Sequence, residues 1–207
     1  MQPRFITLEG GEGVGKTTNL AFIENYLQQR GVPLIRTREP GGTPLGERLR
    51  GLLLEDHAVD PTAELLMVFA ARAQHLQQVI RPALAAGRWV LSDRFTDASY
   101  AYQGGGRGMD TAVIGALENW VQRGLQPDLT LLLDTPVDIG MARARARGAA
   151  DRFESENFAF FERVRSAYLD RAHQAPNRIK LIDVSGDLVD IQAEIARHLD
   201  SLLQGAA

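Results

Sequence analysis

The run Gly10-Gly11-Glu12-Gly13-Val14-Gly15-Lys16-Thr17 carries the clearest chemistry in the chain, and it fits G-x-x-x-x-G-K-[ST] in full. Glycines let a backbone curl until successive N–H groups point at phosphate oxygens. A helix opening at Lys16 would add the positive end of its dipole. Lys16 is then placed to reach the β and γ phosphates of a nucleoside triphosphate, and the Thr17 hydroxyl to hold Mg²⁺, with Thr18 completing the set. The motif signals a triphosphate without choosing between a kinase, a switch GTPase and an ATPase.

Further residues call for a second anion. Trp89-Val90-Leu91-Ser92 ends in Asp93-Arg94. At the carboxyl end of a strand, Asp93 can hold a Mg²⁺ water or orient the attacking oxygen, and Arg94 can clamp a phosphate with two N–H bonds. Asp134, closing Leu129–Asp134, competes as a metal residue. Arg72 interrupts an apolar stripe formed by Leu65, Phe69 and Leu76, so it needs either a buried carboxylate or a ligand as partner. Phe69, one turn earlier, is either a base-stacking ring or plain core. Arg143, Arg145, Arg147 and Arg152 surround a Gly148-Ala-Ala break, which reads either as a solvated basic face or as a mobile lid that brings arginine to a transferring phosphoryl group. The four histidines are scattered without ligand spacing, and Gln103–Gly108 reads as a flexible loop.

The elements that must position these residues alternate between strand and helix. Strands are predicted at Phe5–Glu9, Pro33–Thr37, Trp89–Asp93, Leu129–Asp134 and Arg178–Val184. Helices are predicted at Lys16–Arg30, Leu45–Leu54, Pro61–Leu84, Thr111–Arg123, Val137–Arg145, Ser155–His173 and Leu188–Leu203. Asp60 before Pro61 is an N-cap followed by proline at the first helical position. Near-continuous apolar strands between helices specify an α/β fold with a parallel sheet covered on both faces, in one domain over residues 1–207.

With 207 residues, 44% hydrophobic and 24% charged, the composition is that of a globular domain with one substantial core. A formal net charge of −3 argues against a nucleic acid polymer as partner. The absence of cysteine excludes disulfides, thiolate metal sites and a Cys nucleophile. No apolar run approaches a membrane span, and Met1–Glu9 lacks the parts of a signal peptide, so the expected location is the cytoplasm.

Over nearly its whole length the chain resembles the bacterial thymidylate kinases, nucleoside monophosphate kinases with a phosphate loop. The matching segments are LEGGEGVGKTT (Leu8–Thr18), TREPGGT (Thr37–Thr43), Asp93-Arg94, AYQGGGRG (Ala101–Gly108) and RARARG (Arg143–Gly148). The resemblance implies transfer from Mg·ATP to dTMP giving dTDP and ADP, in dTTP biosynthesis. It also implies a five-stranded parallel sheet of order 2-3-1-4-5, an Arg-rich lid at about 143–155, and a homodimer. Carried over by position, Glu12 accepts from the deoxyribose 3′-hydroxyl, Arg94 and Arg50 bind the dTMP phosphate, and Glu39 and Pro40 shape the pocket. Arg72 bonds the thymine O4, Ser99 and Gln103 face the base edge, and Arg147 contacts the transferring phosphoryl. Relatives often carry a stacking Phe four residues before that base-reading arginine, where this chain has Val68 and places Phe69 next to it. A kinase for UMP or CMP is the alternative within the class. A GTP-binding switch is the alternative outside it, and the chain has no Asn-Lys-x-Asp segment to read guanine.

Overall fold

The computed structural model describes residues 2–55, 58–146, 152–153 and 156–205. Strands β1 (Phe5–Glu9), β2 (Leu34–Arg38), β3 (Trp89–Asp93), β4 (Leu129–Asp134) and β5 (Ile179–Asp183) form one sheet of order β2-β3-β1-β4-β5. Every pairing is parallel, with Ile6 of β1 opposite Leu91 on one side and Leu129 on the other. β1 is buried throughout because helices cover both faces. Alternation then divides its side chains: Ile6 and Leu8 enter the core under α1 (Lys16–Gln28) and α9 (Leu188–Gln204), where Leu20, Ile23, Leu27, Ile191, Ile195 and Leu199 meet them. Phe5, Thr7 and Glu9 face the other way, and the buried Thr7 hydroxyl pairs with Thr130 at 2.7 Å.

The carboxyl ends of β1, β3 and β4 lie along one edge, so Gly10, Arg94 and Asp134 emerge together there. The remaining helices are α2 (Pro44–Leu54), α3 (Pro61–His75), the short α4 (Arg81–Ala85), which leads into the amino end of β3, and α5 (Thr96–Ser99), then α6 (Thr111–Gln122), α7 (Val137–Arg145) and α8 (Phe158–Gln174). Their starts are set locally by side-chain caps. Thr43, Asp60, Asp110 and Asn157 accept from the first-turn N–H groups of α2, α3, α6 and α8.

Two predicted segments are built differently. The expected helix Pro61–Leu84 is interrupted by a π-helical turn over Leu76–Ile80. Pro82 has no N–H to donate and its ring crowds the carbonyl four residues back, so the preceding turn widens. The expected flexible loop Gln103–Gly108 is instead ordered as a second π-helical turn, Tyr100–Gly106, continuous with α5. Its glycines serve close packing: a Cβ on Gly106 would lie 2.5 Å from the Phe160 ring of α8.

Candidate active site

The phosphate loop curls between β1 and α1 as its residue types require. Gly13 takes φ 71°, and any Cβ there would run into the Gly140 carbonyl of α7. Gly15, at φ 83°, caps α1 without a side-chain bond, which leaves the first N–H groups of the helix for an anion. Lys16 Nζ folds back on the loop, 3.1 Å from the Gly10 carbonyl oxygen and 2.7 Å from that of Gly11. Burial, reinforced by Arg94, pulls its ammonium from 10.5 down to about 8, against the opposing pull of Glu12, Asp93 and Glu9. Lys16 is therefore a cation short of negative charge, the electrostatic state of a site awaiting phosphate.

In front of the loop opens a cleft of about 370 Å³. Glu12, Gly13, Val14, Gly15, Lys16 and Thr17 line one wall, and Asp93 and Arg94 its floor. Glu39, Pro40 and Arg50 line the opposite side, with Arg72, Ser99 and Gln103 deeper in. Gly10 and Gly11 lie outside it, facing a smaller hollow of about 30 Å³ behind the loop, and the exposed Thr18 lines neither. Arg147 lies outside the described residues, as do 148–151 and 154–155 of the expected lid.

Arg94 occupies left-handed backbone at φ 68°, held by its N–H to the Leu8 carbonyl at 3.0 Å and by the Ser92 hydroxyl donating to its own carbonyl at 2.8 Å. This conformation, unusual for a residue with a long side chain, turns the guanidinium back toward the phosphate loop. It donates to the Gly10 carbonyl at 2.8 Å and to Glu12 Oε1 at 2.7 Å, and the Tyr102 hydroxyl donates to the same Glu12 oxygen at 2.7 Å. Arg50 donates to the Pro40 carbonyl at 3.2 Å, and burial together with Arg38 and Arg94 pushes its basicity down. Three guanidinium groups and an ammonium thus converge where a second phosphate would balance them.

Asp93 and Asp134, competing metal residues in the sequence, separate clearly. Asp134 is held in a fork by Arg165, at 2.8 and 2.9 Å. Asp93 lines the cleft with Thr17, and its buried Oδ1 has no hydrogen-bond partner among the described residues. An orphaned carboxylate oxygen beside a phosphate loop fits a hydrated cation.

Arg72 has one of its two expected partners, a buried carboxylate, and keeps one donor in reserve. Buried to 1% exposure, it donates through Nε to Glu39 at 2.7 Å and through one terminal nitrogen to the Phe95 carbonyl and Ser99 hydroxyl, both at 3.1 Å. Burial alone would raise the Glu39 carboxyl, but Arg72 and His75 outweigh it and hold it below the usual range. The other terminal nitrogen of Arg72 is buried without a partner among the described residues, a donor calling for an acceptor. Phe69 does not line the cleft; it packs with Leu65 and Ile114, and the apolar wall above Arg72 is Val68. The base contact expected at Phe69 is not made from the cleft wall, because that ring is part of the core.

Several site residues escaped the sequence reading. Tyr102 and Phe153 line the cleft edge to face, with centroids 5.8 Å apart, and Arg38 lines it while paired to Glu47 at 2.7 Å. Glu9 is buried under the site, accepting from the Phe95 N–H at 2.6 Å and the Tyr168 hydroxyl at 2.8 Å. Burial, then the nearby Asp97 charge, pushes its carboxyl up to about 8. A glutamate on the in-facing phase of an apolar strand was the signal available for it.

A phosphate loop, a facing clamp for a second anion and a parallel sheet of this order define the α/β class of nucleotide kinases. A family model described as thymidylate kinase matches residues 8–195, and the chain belongs to that family. It is 59% identical to the thymidylate kinase of Chromohalobacter salexigens, with 97% of this chain and 96% of that one covered. Identity to the thymidylate kinase of Teredinibacter turnerae is 58%, covering 98% of this chain and all of that one. The crystal structure of thymidylate kinase from Ehrlichia chaffeensis superposes with a TM-score of 0.80 at 34% identity, covering 97% and 99% of the two chains.

Proposed function

We propose that this enzyme transfers the γ-phosphoryl group of Mg·ATP to dTMP, giving dTDP and ADP, and so supplies dTTP synthesis. What carries the assignment is a cleft that joins a phosphate loop to a second cationic clamp, with a buried Arg72 donor deeper in that has no partner among the described residues. The loop N–H groups and Lys16 take the ATP phosphates, Lys16 exchanging the Gly10 and Gly11 carbonyls for phosphate oxygens. Arg94, helped by Arg50, holds the acceptor phosphate. As its guanidinium exchanges Glu12 for that phosphate, Glu12 is released to accept from the 3′-hydroxyl of the sugar.

The free Arg72 nitrogen donates to a carbonyl at the far end of the base, which suits the thymine O4 and opposes the amino group of cytosine. Thr17 and Asp93 would hold Mg²⁺, which when bound neutralises charge on the β and γ phosphates. An oxygen of the acceptor phosphate attacks the γ phosphorus as the bond to ADP breaks, and the fixed cations stabilise charge on the transferring group. Arg147, from a lid at about 143–155 of the single 1–207 domain, adds to them.

We also read the enzyme as a cytoplasmic homodimer. Leu45 and Leu52 of α2, Leu66 of α3, and Val113 and Trp120 of α6 are exposed apolar side chains on neighbouring helices, and Trp120 is 74% accessible. No helix among the described residues is long and apolar enough to cross a membrane.

The test is ADP release from Mg·ATP with dTMP, dUMP, UMP, CMP and thymidine offered separately. Rapid turnover with dTMP, with dUMP a distant second and thymidine inert, is expected. Preference for CMP would overturn the roles of Arg72 and Gln103, and preference for UMP, whose uracil offers the same O4 and N3–H edge, would overturn the assignment of dTMP while leaving those two roles in place.

A further inference from the structure

Gln103 presents an amide to the cleft, and an amide is ambiguous: either end can face the base. Which end does so is decided outside the cleft. Gln103 Nε2 donates at 2.8 Å to Oε1 of Glu64, a fully buried side chain that does not line the site. Glu64 lies against the guanidinium groups of Arg107, whose Nε is 3.3 Å from both carboxylate oxygens, and of Arg152, at 2.7 Å from Oε2. A carboxylate so placed offers only acceptors, so the NH₂ end of Gln103 must turn toward it. The carbonyl end, Oε1, accepts no hydrogen bond among the described residues and is left for the cleft.

We propose that Glu64 is a positioning residue that selects thymine-type bases over cytosine by fixing the amide polarity of Gln103. The inference rests on the dTMP kinase assignment above. Arg72 offers a donor, and Gln103, oriented by Glu64, offers an acceptor. Thymine presents the complement, a carbonyl at position 4 and an N–H at position 3. Cytosine presents the reverse, an amino group at 4 and a bare acceptor nitrogen at 3, so it meets both protein groups with like facing like. One helix supplies three parts of the device: Glu64, Val68 and Arg72 follow one another at four-residue spacing along α3. Tyr100–Gly106 supplies only the amide that Glu64 orients.

The experiment compares kcat/KM for dTMP and dCMP in the wild-type enzyme and three variants. Glu64→Gln lets the residue present either an N–H or a carbonyl to Gln103, so the amide is free to turn over. The dTMP-to-dCMP ratio is expected to fall by about 10- to 100-fold, the range set by losing a hydrogen bond to a charged group. Glu64→Asp keeps an acceptor-only group and is expected to hold the ratio within about threefold of wild type. Gln103→Leu leaves the Glu64–Arg152 contact in place and is expected to lower the ratio as Glu64→Gln does. Equal losses on both substrates in Glu64→Gln, or an unchanged ratio in Gln103→Leu, would overturn the proposal. A wild-type enzyme without preference for dTMP would overturn the functional assignment itself, and the inference with it.

Discussion

Lys16 gives the account its sharpest pH dependence. In the free protein its ammonium titrates near 8 rather than 10.5, chiefly because it is buried and secondarily because Arg94 is close. Triphosphate oxygens supply the missing negative charge, so the nucleotide-bound form keeps its proton to higher pH. Above pH 8 the free enzyme has lost a proton that the complex holds, so binding must take one up. At pH 7 about nine-tenths of the free enzyme is protonated, and at pH 9 about one-tenth, so the Mg·ATP dissociation constant should weaken about tenfold between them. That corresponds to about 1.4 kcal/mol. Glu9 titrates in the same range, so the measurement belongs in a Glu9→Gln background as well as in the wild type. Isothermal titration calorimetry at pH 7 and 9, in two buffers of different ionisation enthalpy, reads both the affinity and the protons taken up. The expected uptake at pH 9 approaches one proton per ATP, and Lys16→Arg, charged throughout, should flatten both curves. An affinity that stays constant from pH 7 to 9 with no proton uptake would refute this account of Lys16.

Arg94→Ala removes the clamp on the acceptor phosphate and should lower kcat/KM for dTMP by about 10²- to 10⁴-fold, with the far-ultraviolet circular dichroism unchanged. Asp93→Asn replaces the orphaned carboxylate oxygen, and the Mg²⁺ concentration for half-maximal activity should rise by about 10- to 100-fold in a magnesium titration. Gly13→Ala forces a methyl group against the Gly140 carbonyl at a positive φ, so calorimetry should show destabilisation of about 2 kcal/mol or more, together with lost ATP binding.

What was legible in the sequence was what depends on local pattern. The strand ends that carry Gly10 and Arg94 follow from apolar runs bounded by glycine and charge, and parallel pairing places them on one edge. The stripe of Leu65, Phe69, Arg72 and Leu76 is buried as its periodicity requires. Burial, however, does not say what lies opposite. At about 100° per residue Val68 sits about 40° from Arg72 in one direction and Phe69 about 60° in the other. Only the packing of α6 beside α3 decides that Phe69 meets Ile114 while Val68 meets the cleft. The ordered turn at Tyr100–Gly106 was hidden for a related reason: glycines signal freedom locally, but here they admit α8 to close contact. Glu64 and Glu9 act through partners 39 and 86 residues away, a distance no window of sequence spans.

The central claim is that one cleft carries a phosphoryl group from ATP directly to dTMP. The most direct measurement supplies γ-labelled Mg·ATP with an equimolar mixture of dTMP, dCMP and UMP, and follows the label by chromatography. The label should accumulate in dTDP, with little in the other diphosphates or in free phosphate. Label released as inorganic phosphate while dTMP remains unchanged, or delivered chiefly to dCMP or UMP, would contradict the account.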